Sequence, residues 1–245
     1  MPPRRVDFRR TSRPAGPHGP RRDAGALVVA LVAAACATPP PPPPDPAIDA
    51  ERAATVLRLE TRMEAPARIV FTWSLDDRDL RLNGRGIARV EPPYRARLDL
   101  FLANGEAVVA AALVGSDLRL PRGAPEGIIP PPDLLWGALG VFNPGPDAAL
   151  LGGDAPEPER IRLRYGYPDG TRLHYTVAGT RIYTVELLRE GRTVQRVVVE
   201  PAAGDDTRYP ERAVYRDVPA FRELTITRES VENVEAYPPD IWIVR

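Results

Sequence analysis

The chain of 245 residues carries 33 basic and 33 acidic side chains, so its formal net charge is zero. That balance supplies neither a positive field to gather nucleic acid nor an acidic tail. Its single cysteine cannot close an internal disulfide, so the fold must stand on a hydrophobic core.

The first residues read as an export signal. Arg4, Arg5, Arg9, Arg10, Arg13, Arg21 and Arg22 make a positive region, and Ala24 to Ala35 is an apolar stretch of about a dozen residues. That is too short for a ~20-residue membrane span. Ala33, Ala34 and Ala35 supply the small side chains a signal peptidase needs. The run from Leu31 to Cys36 resembles a bacterial lipobox, with Ala33 where leucine is usual. The resemblance implies that Cys36 is lipidated, becomes the first residue of the mature protein and anchors it to a membrane. Each buried CH₂ of the acyl chains would contribute about 0.8 kcal/mol. Ala37 follows, where lipoproteins kept in the inner membrane commonly carry aspartate, so the periplasmic face of the outer membrane is the expected destination. Pro39 to Pro44 favour a polyproline II spacer of about 3.1 Å per residue. The expected organisation is a signal peptide over 1–35, a lipidated cysteine and Pro-rich linker over 36–47, and one domain over 48–245. The alternative is an ordinary secretory signal that happens to end in cysteine.

The domain opens with a segment free of Gly and Pro, Ile48 to Met63, in which Ile48, Val56, Leu59 and Met63 recur at helical spacing. Asp45 or Asp49 is placed to cap a short helix there. After Pro66 the period becomes two: Ile69, Phe71, Trp73 and Leu75 share one face of a half-buried strand. Leu82, Ile87 and Val90 surround the flexible Gly84 and Gly86. Arg95 to Leu102 alternates charged and aliphatic residues, Asn104-Gly105 is a hairpin signal, and Ala107 to Val114 is the returning strand. This predicts an antiparallel meander with one wet and one dry face.

Residues 123–153 differ, being rich in Pro and Gly yet carrying Ile128, Ile129, Leu134, Leu135, Trp136, Leu139, Val141 and Phe142. Pro132-Asp133 opens a short helix and Asn143-Pro144 closes it. Strands then resume over 160–165, 171–177, 181–189, 192–200, 212–217, 221–227 and 231–236. The pattern predicts a mainly β domain of about ten or eleven strands, with a helix in front and apolar helical material inserted midway. A curved sheet needs a cover on its inner face, and that inserted helix is available to provide it.

Residues that carry catalysis elsewhere are sparse or badly placed here. His174, between Leu173 and Tyr175 on a strand, is the only histidine beyond the signal and reads as structural. With no second histidine there and Cys36 the sole thiol, the usual zinc ligand set is missing. Ser74, Ser116 and Ser230 lack a Gly-x-Ser-x-Gly setting. Asp76-Asp77 and Asp205-Asp206 sit at turns as solvated pairs, although spacing alone leaves a glycosidase pair open. The expectation is a protein that is not an enzyme and uses no cofactor.

The order of helix, meander, Leu/Trp-rich insertion and second meander resembles the LolA/LolB family of outer-membrane lipoprotein localisation factors. The resemblance rests on "GRGIARVEPPYRARLDLFLANGEAVVAAAL", on "PPDLLWGALG" and on the tail "VENVEAYPPDIWIV". Pro92 stands where the soluble carriers have arginine, and the hairpin after the third strand offers only Ala103 where the receptors expose a bulky apolar residue. The resemblance implies a curved antiparallel half-barrel whose helical lid covers a cavity for acyl chains. Phe71, Trp73, Leu98 and Leu100 would face Leu134, Leu135, Leu139 and Phe142 across that cavity. Its partners would be a membrane through the lipid anchor, a lipid or a lipoprotein's acyl chain, and other envelope proteins, with no nucleic acid. The same residue types also make a filled core, so a non-catalytic structural or assembly lipoprotein is the second reading.

Overall fold

The computed structural model describes residues 45–125, 127–202 and 207–244. Cys36, the expected signal and the proline run lie outside the described residues.

Helix α1 (Ala50–Glu60) starts where Asp49 accepts a hydrogen bond from the Arg52 amide at 3.0 Å, an N-cap of the expected kind. Its buried face is Ala50, Ala54 and Leu57, while Val56 and Leu59 are exposed. The helix is therefore turned away from the face expected from its larger apolar residues. Small alanines bring its backbone close to its neighbours, and side-chain size alone does not report that choice.

A first meander follows: β1 (Ala67–Asp77), β2 (Leu80–Glu91), β3 (Arg95–Leu102), β4 (Ala107–Val114) and a short β5 (Asp117–Arg119). Helix α2 (Pro132–Ala138) comes next, and then a second meander. It runs through β6 (Ala149–Glu157), β7 (Arg160–Gly166), β8 (Arg172–Ala178), β9 (Arg181–Arg189), β10 (Arg192–Glu200), β11 (Arg212–Asp217) and β12 (Arg222–Asn233). A 3₁₀ turn, Pro239–Trp242, ends the fold.

Every strand pairs antiparallel with its sequence neighbour within each meander, and β12 pairs with β1 from Ala67↔Asn233 to Asp76↔Glu223. The two meanders thus merge into one curved, open, twelve-stranded sheet with β5 and β6 at its edges. The chain between those edges, residues 120–148, has to cross the sheet. It crosses on the apolar side and carries α2 with it, which is why the inserted segment is both Pro/Gly-rich and hydrophobic.

Three differences from the sequence expectation have physical causes. Both edge strands went unrecognised: β5 is only three residues long, and β6 begins Ala-Leu-Leu-Gly-Gly without period-two alternation. The strands expected over 221–227 and 231–236 are one strand, β12, whose register against β1 slips between Val70 and Phe71. Gly84 and Gly86 are mid-strand residues rather than flexible joints. A Cβ on Gly86 would lie 2.3 Å from the Phe71 ring, and one on Gly84 would lie 1.8 Å from the Phe101 carbonyl oxygen. Gly86 leaves room for the Phe71 ring of β1, and Gly84 lets the β3 backbone approach closely.

The core lies on the inner face. Ile69, Phe71, Trp73 and Leu75 of β1 are all buried there, as the alternation predicts. Trp73 satisfies its indole by donating to the Arg85 and Phe101 carbonyls, each at 3.1 Å. On the outer face Asp99 is buried between Arg89 and Arg97, and Arg97 also donates to the Ile241 carbonyl at 2.7 Å. That contact ties the C-terminal turn to β3.

Candidate functional site beneath the mid-chain helix

Helix α2 spans seven residues, and Leu134, Leu135, Trp136 and Gly137 are all buried. Its entry is held by Asp133. One carboxylate oxygen accepts the Gly145 amide at 2.8 Å, and the other accepts the Tyr167 hydroxyl at 2.7 Å. Burial pushes the Asp133 carboxyl above its ordinary value, against the lowering effect of those two bonds. The Tyr167 phenol is pushed far up, first by burial and then by the neighbouring carboxylate. Its exit is held by Thr61, whose hydroxyl accepts the Phe142 amide at 2.8 Å and donates to the Leu57 carbonyl at 2.8 Å.

The two flanks of α2 pack differently. Toward β9 the contact is tight: a Cβ on Gly137 would lie 2.4 Å from Val185. Trp136 instead reaches the first meander, donating its indole to the Gly115 carbonyl at 2.7 Å and meeting Tyr94 edge-on at 5.9 Å. Toward β1–β3 a slot of about 40 Å³ remains, lined by Phe71, Ala88 and Leu98 from the sheet and by Leu135, Ala138 and Leu139 from the helix. Such a volume holds about one water, whereas ligand pockets begin near 300 Å³. In this conformation the apolar layer is closed.

Of the eight side chains expected to face one another, all belong to one buried cluster. The slot joins Phe71, Leu98, Leu135 and Leu139, and it does not include Trp73, Leu100, Leu134 or Phe142. Phe142 lies beyond the end of α2, which is shorter than expected, and its ring packs 4.7 Å from that of Tyr175 on β8.

The slot also reaches residues that sequence reasoning missed: Tyr209 and Pro210 before β11, and Ile226 and Arg228 on β12. Arg228 stands directly opposite Phe71, on the inner face. The inward phase of Leu224 and Ile226 continues to position 228, so the signal was present. An expected strand end at Thr227 hid it. Beside the slot an open mouth of about 600 Å³ shares Tyr209 and Arg228 with it and adds Thr207, Arg208, Val231 and Asn233. Burial holds the Tyr209 phenol up at about 12, so it is neutral at the mouth.

Comparison with solved structures places this geometry. A LolA superfamily protein from Nitrosomonas europaea superposes with a TM-score of 0.55 at 12% identity, over 80% of this chain and 98% of that one. The chain has a LolA/LolB-like fold. A DUF1329 family protein from Desulfovibrio piger gives a TM-score of 0.49 at 8% identity, over 80% of this chain and 98% of that one. No protein-family model matches the chain, and no curated protein matches it in sequence. At such identities the likeness is one of fold, and the site must be argued from its own residues.

The LolA-like sheet holds no group of three or more metal-ligating side chains among the described residues. Nor is any described helix long and apolar enough to cross a membrane. His174 is half-buried on β8. Burial lowers its affinity for a proton, as do Arg162, Arg164 and Arg172. What the site offers chemically is a dry apolar surface on two sides and a polar opening at one end.

Proposed function

We propose that this protein is an envelope lipoprotein, anchored through Cys36 to the periplasmic face of the outer membrane, that binds an acyl chain of a lipid or lipoprotein beneath α2. The sheet then acts as a half-barrel, α2 as its lid, and the role is lipid or lipoprotein trafficking. One observation carries the reading. The slot separates two apolar layers along a single flank of α2 and shares Tyr209 and Arg228 with the open mouth beside it. Lifting that flank exposes Phe71, Leu98, Leu135 and Leu139, each costing about 1.5–3 kcal/mol in water, and a bound chain offsets the cost by covering them. The fold likeness and the lipobox resemblance support the same reading.

The closed slot supports a second reading, in which the layer is a filled core and the domain is a scaffold for other envelope proteins. Native mass spectrometry of the purified protein, together with melting of Leu135→Glu and Leu139→Glu, separates the two. The lid reading expects co-purified lipid in the wild type and its loss in the variants. A wild type that never carries lipid, with variants that only melt earlier, leaves the scaffold. For the anchor, a fatty-acid probe is expected to label wild type and not Cys36→Ser; equal labelling and membrane retention of the serine variant would overturn it.

A further inference from the structure

Arg208 lines the mouth described above and also a neighbouring cavity of about 210 Å³ formed with Thr61, Gly140, Arg181 and Pro210. One of its terminal nitrogens, Nη2, donates to the Glu60 carbonyl at 2.6 Å. The other, Nη1, is buried and has no hydrogen-bond partner among the described residues. A buried guanidinium N–H without an acceptor is costly, and it is the donor a carboxylate or phosphate oxygen satisfies best. Arg228 brings a second guanidinium to the same mouth, positioned by a hydrogen bond from its Nε to the Pro210 carbonyl at 3.2 Å. Arg181 lines the neighbouring cavity only, and donates to the Ala202 carbonyl at 2.7 Å. Glu64 is the carboxylate that lines this mouth among the described residues. Asp205 and Asp206 precede this stretch in sequence and lie outside the described residues.

We infer that the mouth is a headgroup site for an anionic amphiphile: the acyl chain enters the slot beneath α2, and its carboxylate or phosphate is held by Arg208 beside Arg228. The geometry points to this because Tyr209 and Arg228 line both the slot and the mouth, so the apolar and charged regions lie side by side in the order an amphiphile presents them. The inference rests on the acyl-binding reading above and adds the class of headgroup.

Titration of the full chain with palmitate, 1-palmitoyl lysophosphatidic acid and hexadecanol, each below its aggregation concentration, tests it. A charge-assisted hydrogen bond at this site is expected to make an anionic probe bind on the order of tenfold tighter than hexadecanol. The tighter of the two anionic probes identifies the headgroup. Arg208→Gln is expected to bring the ratio of anionic to neutral affinity toward one, and Arg208→Lys to retain part of it, with melting midpoints recorded alongside. Equal affinity for all three probes in the wild type overturns the headgroup site while leaving acyl binding intact. A ratio unchanged in a folded Arg208→Gln removes Arg208 from it. Failure of every probe to bind overturns the acyl-binding reading, and the headgroup site with it.

Discussion

The two flanks of α2 meet the same sheet under opposite packing rules. On the β9 side a glycine replaces any side chain, so backbone and Val185 touch. On the β1–β3 side leucines and an alanine meet aromatics and aliphatics across a small void. Close packing resists displacement because every methylene has its partners, whereas a flank bordering a void has already forfeited some of them. The contrast leaves the Gly137 flank close-packed and the Leu135–Leu139 flank bordering a void.

The largest expected effect is that of Trp136→Ala, which empties the space beside Tyr94 and removes the donor to the Gly115 carbonyl. It is expected to cost about 3–5 kcal/mol, a loss of roughly 6 to 20 °C in the melting midpoint by calorimetry. Gly137→Val forces methyls onto Val185 and is expected to cost about 1–3 kcal/mol, or roughly 2 to 12 °C. If it proves neutral, the β9 flank is looser than the contact distance implies. On the other flank, Ala138→Val adds two methyls beside the void. It is expected to cost less than the roughly 1 kcal/mol at which overpacking starts, while lowering lipid retention in native mass spectra.

The smallest effects are in pH dependence. The folded-state pKa of Asp133 is raised by burial, so its contribution is fully present below the ordinary aspartate value and is lost as pH rises through the raised one. Melting curves should show Asp133→Asn gaining on wild type across that rise, because the amide still bonds Tyr167 and Gly145 and has no charge to bury. His174 has the opposite sign. Its folded pKa is depressed, so its contribution is present above 6.5 and is lost as pH falls through the lower folded value. Arg162, Arg164, Arg172 and Asp154 act on it by charge, and Glu186 stands opposite on β9. His174→Gln should flatten the acid limb of the stability curve, and an unchanged limb would assign that slope to other groups.

How much of this was legible in the sequence follows from where each signal lives. Alternation marked β1, with Phe71 and Trp73 on one face, because a strand with one wet side must alternate. The insertion between the meanders was visible as Pro and Gly mixed with Leu and Trp. Its path was not, since the need to join two sheet edges exists only once β12 has paired with β1. The same holds for the site. Phe71, Leu98, Leu135 and Leu139 were legible as large apolar residues in the right elements. Their separation from Trp73, Leu100, Leu134 and Phe142 depends on Gly137 drawing α2 toward β9, a three-dimensional choice. Arg208 sits in a connection with no periodicity, where residue type alone says nothing about burial.

The pairing of β12 with β1 also bears on how the chain folds. The ion pair of Arg222 with Asp77, 2.6 Å between Nη2 and Oδ2, closes a separation of 145 residues. Contacts so distant in sequence form late, because the closure entropy must be met before they return any energy. Until the last strand arrives, β1 is an unprotected edge, and its stretch Ile69-Val70-Phe71-Thr72-Trp73-Ser74-Leu75 contains no charge, proline or glycine. A seven-residue window of that composition is prone to pair with another copy of itself. The seam that completes the sheet is therefore also the place where an incompletely made or slowly folding chain is most exposed to aggregation, and truncation before β12 is expected to make the chain aggregate.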